Sequence, residues 1–358
     1  MLNYVLNKLL YALLTLLGVV TVIFFLFNVL PGDPAQMMLG QNEDSNQLAI
    51  VKQKYGFDKP LGTQYLYYLN DLSPISFHSK NTDDYTYLEV GKYNAIQLLS
   101  IGSTTTALKF PYLRESFTKQ GKKVTQVIAE TLPNTFVLAT SAIFIAIVIG
   151  IFLGIISALY KDRWLDKAIQ VISTLGMSVP SFFSAILFAW LFGFVWHKYT
   201  NLEMTGSLYE LDDYGEAMQI QWKNLILPAI VLGIRPLAVV IQLMRNSLLE
   251  VLNQDYIRTA RAKGLSEFQI IRKHAVKNAL NPVVTAISGW FASMLAGAVF
   301  VEYIFGWNGL GKEIVNALNT LDLPVIMGAV LIIALIFIVI NIFVDIVYVW
   351  LDPKVKLE

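Results

Sequence analysis

The chain has 358 residues, of which 55% are hydrophobic and 15% charged, and its mean hydropathy is +0.55. This balance is more apolar than that of soluble domains and indicates a membrane protein. The formal net charge of +1 does not indicate a nucleic-acid binder, and the absence of cysteine excludes disulfides, thiolate metal sites and a cysteine nucleophile.

Six apolar stretches approach or exceed the roughly 20 residues that a helix needs to cross a bilayer. Because backbone amides in lipid must pair within their own segment, we predict an all-α membrane protein in which Pro180 and Pro236 are kinks within continuous helices. The first stretch is longer than a signal-peptide core and is predicted to be an uncleaved anchor. The predicted spans are 9–30, 133–159, 168–196, 225–244, 283–304 and 323–350.

The basic residues of the short loops predict the orientation of these spans, because Lys and Arg favour the cytoplasmic side. The loop from Arg245 to Pro282 holds seven basic and three acidic residues, whereas residues 198–216 hold five acidic residues and one lysine. The loop after the second span is also basic. We therefore expect both termini in the cytoplasm.

This orientation predicts four segments of the chain. They are an N-terminal transmembrane helix (1–30), an external segment (31–130), a five-helix transmembrane core (131–351) that includes the cytoplasmic loop 246–282, and a cytoplasmic tail (352–358). Within the external segment we expect short helices at 45–55 and 64–72 and a strand at 84–90, where polar and apolar residues alternate. The external segment is thus predicted to be a small folded insertion between the first two spans.

The loop that begins DYIRTARAKGLSEFQIIRKH at residue 255 predicts two short helices joined by a tight turn. Residues 255–263 favour a helix, Gly264 lies where a left-handed stop is expected, and the S-x-x-Q pattern at 266–269 fits a capping box. Asn281 and Pro282 are expected to end the second helix. On that helix Phe268, Ile271 and Ala275 share one side, and Arg272, Lys273 and Lys277 share another.

Charge alone leaves two other interpretations of this hairpin. A basic cytoplasmic loop can serve only to fix orientation. A DNA-binding helix-turn-helix fits the outline and the basic residues, but the hairpin is tethered between two spans, which disfavours that interpretation.

The stretch YIRTARAKGLSEFQIIRKHAVKNALNPVV closely resembles the EAA loop of ATP-binding-cassette importer permeases, in the branch that carries dipeptides, oligopeptides and nickel. It departs from the general family pattern at Arg258, where that pattern has Glu, and at His274, Val276 and Lys277. Residues 73–109 have no counterpart in the resemblance. The other similar stretches, in the expected order, are LLYALLTLLGVVTVIFFLFNVLPGDPA (9–35), KYGFDKPLGTQYLYYL (54–69), GMSVPSFF (176–183), VEYIFGWNGLGKEI (301–314) and DIVYVWLDPKVK (345–356).

The resemblance implies six transmembrane helices and a cytoplasmic hairpin that docks into a groove of an ATPase subunit. It implies a non-enzymatic permease of the cytoplasmic membrane that carries peptides, with nickel or another small solute as the alternative cargo. This chain would bind no cofactor, and a partner would use ATP and magnesium. The implied partners are a second homologous permease, two cytoplasmic ATP-binding subunits, an external solute-binding protein and the lipid bilayer, with no nucleic acid. The implied ATPase contacts are Arg258, Thr259, Ala260, Ala262, Gly264 and Leu265.

One motif mimics a nucleotide site. GWNGLGKE (306–313) fits G-x-x-x-x-G-K, but Glu313 replaces the Ser or Thr that would hold magnesium, and the motif follows a lipid-spanning helix. We expect a tight turn on the outer side instead. His78, His197 and His274 lie far apart in the chain, so we predict ordinary solvated or interfacial histidines and no metal site.

Two ionisable residues fall inside predicted spans, where a charge is costly unless it faces protein or water. Arg235 and Asp345 could form an interhelical ion pair, contact a freed carbonyl or line a water-filled path, and the sequence leaves these readings open. Residues predicted to line a translocation path are Met177, Pro180, Phe182, Arg235 and Gln242.

Two alternatives from other functional classes remain. An ion-coupled secondary transporter would need membrane-embedded carboxylates, for which Asp345 is the one plausible candidate. A membrane-bound scaffold or receptor would use the external insertion to bind a ligand without transport.

Overall fold

The computed structural model describes residues 2–29, 34–39, 45–89, 91–212 and 214–351. The predicted tail, 352–358, and the first predicted external residues, 31–33, lie outside the described residues. The helices are α1 (Leu2–Val29), α2 (Pro34–Leu39), α3 (Ser45–Tyr55), α4 (Leu61–Leu72), α5 (Val124–Leu159), α6 (Trp164–Ser178), α7 (Ser181–Phe188), α8 (His197–Thr200), α9 (Lys223–Leu252), α10 (Asp255–Ala262), α11 (Glu267–Ile270), α12 (Val276–Gly297), α13 (Val299–Phe305), α14 (Leu310–Asn319) and α15 (Leu323–Leu351). Two π-helical segments, Ala189–Val195 and Ile271–Ala275, follow α7 and α11.

Two small antiparallel sheets interrupt the helices, so the all-α prediction is correct only in that helix predominates. The strands are β1 (Ile75–Ser79), β2 (Ala95–Ile101), β3 (Thr104–Lys109), β4 (Tyr209–Leu211) and β5 (Met218–Ile220), in the orders β1-β3-β2 and β4-β5. The strand predicted at 84–90 is wrong, because the Asp84 side chain accepts the Thr86 N–H at 2.8 Å and folds this stretch into turns. The predicted helices at 45–55 and 64–72 correspond to α3 and α4.

Four helices are long and apolar enough to cross a bilayer, namely α1, α5, α9 and α15. Two further candidates are bent pairs: α6 with α7 and its π-helical extension turns by 107°, and the helix from Glu267 to Leu295 turns by 56° into α13. By length and composition, the described chain thus contains four candidate spans, or up to six if each bent pair is one span.

Pro180 breaks its helix, contrary to the predicted kink. Val179 has ψ 130° and Pro180 has ψ 139°, so both residues are extended between α6 and α7. The ring of a proline pushes the preceding residue out of the helical region, and here the preceding residue is β-branched. Pro236, by contrast, lies within the continuous α9, as predicted.

The described residues form two compact units, one from residues 2–12, 131–315 and 333–351 and the other from the described parts of 13–130 and from 316–332. In the second unit, Asp71 is buried and accepts hydrogen bonds from the Tyr85 hydroxyl at 2.6 Å, the Tyr93 hydroxyl at 3.0 Å and Arg114 Nε at 3.0 Å. Lys109 Nζ donates to the Asp71 carbonyl, and burial lowers the pKa of Lys109 to about 8. The region predicted as an insertion therefore has its own polar core.

The three-stranded sheet of the second unit leaves one face uncovered. Phe77 is 61% exposed, Ile101 is 76% exposed and the adjoining Phe110 is 82% exposed. The opposite face is buried, with Ser76 and His78 among its residues. The side chains of β1 and β3 therefore follow the period-two alternation of strands with one packed face, whereas β2 is exposed along most of its length. The outer face is apolar rather than polar.

Candidate functional site

The basic loop between α9 and α12 folds into a helical hairpin. We call it the cytoplasmic-loop hairpin (residues 255–277), after the side of the membrane on which the sequence predicts it. Gly264 adopts φ +78°, and its N–H donates to the Arg261 carbonyl at 2.9 Å. Ser266 then caps α11: its Oγ accepts the Gln269 N–H at 3.4 Å, and Gln269 Oε1 accepts the Ser266 N–H at 3.3 Å. The predicted first helix, left-handed glycine and capping box are confirmed.

The second helix of the hairpin does not end at Asn281 and Pro282, as the sequence predicted. It passes through the π-helical segment into α12, which includes Pro282 and continues to Gly297. Neighbouring helices and π-type adjustments satisfy the carbonyl that a proline leaves free in an apolar helix. The hairpin is therefore helically continuous with α12, and two residues, Asn253 and Gln254, join it to α9.

The two arms of the hairpin are fixed to each other by polar contacts. Arg261 Nε lies 2.8 Å from Glu267 Oε1 across the turn. Asn278 Nδ2 of α12 donates to the Tyr256 hydroxyl of α10 at 2.8 Å. These contacts hold the turn at one end and the base of the hairpin at the other.

Apolar residues seat the hairpin on α9. Ile257, Ile270 and Ala275 are fully buried and belong to one cluster with Met244 and Leu248 of α9. Burying an isoleucine side chain contributes about 1.5–3 kcal/mol, so this contact outweighs the exposed polar contacts of the turn.

Phe268 is 70% exposed, although the sequence placed it on the apolar side with Ile271 and Ala275. The capping box at Ser266 sets the phase of α11 so that Ile270 faces α9. The π-helical segment then shifts the phase by an extra residue per turn and brings Ala275 to the buried side. A regular period of 3.6 residues could not predict this shift.

Four of the six predicted ATPase contacts lie on the hairpin surface: Arg258, Thr259, Ala262 and Gly264 are exposed. Leu265 is partly buried, and Ala260 is 7% exposed and belongs to the apolar cluster beneath the hairpin. The exposed surface is also basic and includes Arg261, Lys263, Arg272, Lys273 and Lys277.

Four of the five predicted path residues, all but Gln242, lie at or near the bend at Pro180, but the five do not converge on one cavity. A cavity of about 80 Å³ lies among α6, α7, α9 and α12, and Arg235 lines it beside Ser181. Met177 and Phe182 are exposed, and the Phe182 ring lies 6.4 Å from that of Phe300. Arg235 makes no hydrogen bond or ion pair with another residue in the part of the chain that the structure describes. Gln242 is partly buried, farther along α9.

Close packing of α5 on α9 escaped the sequence reasoning. A Cβ at Gly150 would lie 2.7 Å from Val240 Cγ1, and one at Gly154 would lie 2.7 Å from Met244 Cβ. The small residues let the two helices approach where larger ones would collide. The G-x-x-x-G spacing at 150–154 in an apolar helix was the available signal.

A buried ion pair was also missed. Asp166 of α6 accepts Arg245 Nε and Nη2 of α9, each at 2.7 Å, and Ser157 Oγ of α5 at 2.5 Å. In the sequence, Arg245 stands out only as one of the basic residues that predict the orientation of the spans. The sequence signal for this pair was an arginine just after one predicted span and an aspartate just before another.

The segment that mimics a P-loop forms a closed turn, which we call the outer turn (residues 306–310), after the side of the membrane on which the sequence predicts it. Gly306 ends α13 with φ +68°, and the fully buried Trp307 donates Nε1–H to the Asn134 carbonyl at 3.0 Å. The Glu302 carboxylate accepts the N–H groups of Gly311 at 2.7 Å and Lys312 at 3.2 Å. The first turn of α14, where a P-loop would hold phosphate, is thus occupied by the chain's own carboxylate.

The histidines are local structural groups. His78 is fully buried, not solvated as predicted, and its ring nitrogens contact Ser76 Oγ at 2.8 Å and the Thr86 carbonyl at 2.9 Å. His197 Nδ1 lies 2.7 Å from the Leu202 carbonyl. Among the described residues, no three His, Asp or Glu side chains form a group that could hold a metal ion.

Comparison with known proteins gives consistent matches over the whole chain. The family described as binding-protein-dependent transport system inner membrane component matches residues 150–357, and the N-terminal family of such membrane components matches residues 1–83. The dipeptide transport system permease protein DppB of Alkalihalophilus pseudofirmus is 33% identical over 99% of this chain and 100% of the relative. The glutathione transport system permease protein GsiC of Salmonella choleraesuis is 32% identical over 99% of both chains.

A solved structure shares the fold. A chain of the MetNI methionine ABC transporter, in an inward-facing conformation, superposes with a TM-score of 0.51 at 17% identity. The superposition covers 63% of this chain and 97% of that one. At this identity the likeness concerns the arrangement of helices alone.

Proposed function

The chain belongs to the binding-protein-dependent transport system inner membrane components, and from this premise we propose that it forms half of a peptide pathway in an ATP-driven importer. It is a multi-pass permease subunit and not an enzyme. Each relative reported above spans nearly the whole chain, and their names give dipeptide or glutathione as cargo. We propose di- or oligopeptides as the cargo here, with nickel or another small solute as the alternative.

We propose a complex of this chain with a second homologous permease, two cytoplasmic ATPases and an external solute-binding protein. Both termini, including the tail 352–358, would be cytoplasmic, and residues 31–130 external. Residues 131–351 would supply five of six spans, with each bent pair counted as one. The ATPases would use ATP and magnesium, and this chain would bind neither.

The single observation that carries this proposal is the construction of the cytoplasmic-loop hairpin, which is the EAA-type loop of the resemblance. Its outer surface is exposed and basic, whereas its inner side is packed on α9. Because α11 continues into α12, a push on the hairpin is transmitted as helix movement rather than absorbed by a flexible loop.

In this mechanism, ATP binding closes the two ATPases around the hairpins and tilts the attached helices. The cavity beside Pro180 and Arg235 then opens outward to accept solute, and hydrolysis resets the transporter. Of the predicted ATPase contacts, Arg258, Thr259, Ala262, Gly264 and Leu265 would touch the groove. Ala260 would act from beneath, by seating α10 on α9.

Uptake into proteoliposomes tests this function. The assembled complex should take up a labelled dipeptide only with ATP inside the compartment that holds the ATPases. Uptake driven by a proton or sodium gradient without ATPases would instead establish a secondary transporter, and uptake of Ni²⁺ but no peptide would establish the alternative cargo. No uptake under any condition would leave a scaffold or receptor and defeat the proposal.

A pair of turn variants tests the hairpin directly. Gly264→Pro demands φ near −65° and removes the N–H that bonds Arg261, so uptake should fall at least tenfold while membrane insertion is unchanged. Gly264→Asn is the matched control, because asparagine tolerates the left-handed region. Parental uptake by Gly264→Pro would contradict the assigned role of the turn.

A further inference from the structure

The ion pair between Asp166 and Arg245 is fully built into the first unit. The carboxylate is 2% exposed, and besides both guanidinium contacts it accepts the Ser157 hydroxyl and, at 2.9 Å, the Asp162 N–H. Gln170 Nε2 donates to the same Ser157 hydroxyl at 3.1 Å. Each charge is therefore compensated, and the network ties α5, α6 and α9 at one point.

The position of this pair distinguishes it from the other ion pairs. Among the described residues, it is the one ion pair whose two partners lie on different candidate membrane spans, with each bent pair counted as one span. A buried pair is weak evidence for stability, since its desolvation offsets much of its attraction. A role in fixing the relative position of two helices is the better-supported use of such a pair.

A continuous set of contacts runs from the hairpin through this pair. Met244, the neighbour of Arg245, is fully buried in the cluster that contains Ile257 and Ile270 of the hairpin. The same turn of α9 therefore holds the hairpin with one side and α6 with the other. Farther along α6, a Cβ at Gly176 would lie 3.0 Å from Ile234 of α9, just before the bend at Pro180.

We propose that the Asp166–Arg245 ion pair is a positioning element that makes α6 follow the hairpin, so that movement at the ATPase reaches the cavity wall at the Pro180 bend. This inference rests on the proposed function as an ATP-driven permease. Two parallel N–H···O bonds fix the plane of the carboxylate as well as its distance, so they resist both sliding and rotation of α6 on α9. An apolar contact of the same area would permit sliding.

The first test measures ATP hydrolysed per labelled dipeptide taken up by the reconstituted complex. Asp166→Asn should raise this ratio at least fivefold with parental complex yield and basal ATPase rate, because the motor still turns over but moves α6 less. Arg245→Lys keeps the charge but loses the bidentate hydrogen bonds of the guanidinium. Its ratio should therefore lie between those of the parent and of Asp166→Asn. The control Lys161→Gln removes an exposed charge from the adjacent loop and should give the parental ratio.

Two outcomes of this test would overturn the inference. One is a parental ratio in Asp166→Asn. The other is a parallel fall of uptake, hydrolysis and yield at an unchanged ratio, which is what a merely structural role predicts. If Asp166→Asn does not assemble, the ratio for Arg245→Lys decides in the same way.

A second test needs no cargo. The chain has no native cysteine, so spin labels can be placed by Lys167→Cys on α6 and Lys273→Cys on the hairpin, both exposed positions. The distance between them should be the same with and without ATP, and should shift or broaden with ATP in the Asp166→Asn background. Equal behaviour in both backgrounds would refute the coupling. If the label distance responds to ATP as expected in both backgrounds but the complex takes up no peptide, the proposed cargo is wrong and this inference stands.

Discussion

The cytoplasmic-loop hairpin and the outer turn both reverse the chain at a left-handed glycine, Gly264 at φ +78° and Gly306 at φ +68°. Their surroundings differ. Apart from Gly264 and its two chain neighbours, no described residue has a heavy atom within 4 Å of the place where a Cβ at Gly264 would stand. A Cβ at Gly311, by contrast, would lie 2.5 Å from Val299 Cα. Gly264 and Gly306 each meet a backbone requirement, whereas Gly311, which follows the outer turn, meets a packing requirement.

The same contrast holds for polar groups. In the outer turn, backbone N–H groups are satisfied by buried groups of the chain itself, above all Glu302, and Trp307 has no exposed surface. In the hairpin, Arg258, Lys263 and Phe268 remain uncovered. The outer turn is complete as an isolated chain, and the hairpin has a surface available to a partner.

The largest expected effect is at Glu302. Glu302→Ala leaves the Gly311 and Lys312 N–H groups buried without an acceptor, and each such group costs about 1–3 kcal/mol. The free energy of unfolding of the purified complex, measured by denaturant titration, should fall by about 4 kcal/mol. Asn316→Ala, an exposed position on the same helix α14, is the control and should change it little.

A loss below about 1 kcal/mol in Glu302→Ala would show that the outer turn is not held from within. Glu302 Oε1 is buried without a hydrogen-bond partner in the described part of the chain, so part of the cost could be relieved on truncation. Glu302→Gln separates the contributions, because its amide oxygen can still accept from Gly311 while its charge is lost.

The next effect is at the seat of the hairpin. Ile257→Ala removes a fully buried side chain from the cluster on α9 and should reduce the free energy of unfolding by about 3 kcal/mol. Phe268→Ala, in the same hairpin but 70% exposed, should leave stability within about 0.5 kcal/mol of the parent. Co-purification of the ATPase should nevertheless fall in Phe268→Ala, because a large exposed side chain fits a partner groove. If both variants lost the same stability, the contrast between the buried Ile257 and the exposed Phe268 would be wrong.

The sequence predicted the elements of the hairpin better than their phase. Gly264 and the capping box at Ser266 are local signals, and both are correct because the physics of a turn or cap involves only a few neighbouring residues. The burial of Ala275 on the same side as Ile270 depends on the π-helical segment, which no local signal indicates. The break at Pro180 could have been predicted from the β-branched residue before the proline, although the sequence analysis predicts only a kink.

Contacts between distant segments were beyond sequence reasoning. Charge counting predicts that Arg245 lies at the end of the fourth span, but its partner Asp166 is identified only when α6 and α9 are packed. The sheet β1-β3-β2 lies in the region without counterpart in the resemblance, and the many Ser and Thr residues there resemble a loop sequence.

A smaller effect separates Gly264 of the hairpin from Gly311, which follows the outer turn. Gly264→Ala places a Cβ in open space, so its cost is the left-handed conformation alone, about 1 kcal/mol. Gly311→Ala has no left-handed penalty, but its Cβ collides with the Val299 backbone, and it should cost clearly more in the same denaturant titration. If the two substitutions cost the same, crowding does not distinguish the turns.

The smallest effect concerns the contact that closes the hairpin turn. Arg261 and Glu267 are joined at 2.8 Å but both side chains are largely exposed, at 45% and 63%. Exposed pairs contribute about 0.2–1 kcal/mol and are screened by salt. Arg261→Gln should therefore lower stability by about 0.5 kcal/mol at low salt and by nothing measurable at 1 M salt. A salt-independent loss would mean that Arg261 acts through the packing of its side-chain stem on α10, and the hairpin turn would then resemble the outer turn in being held by packing.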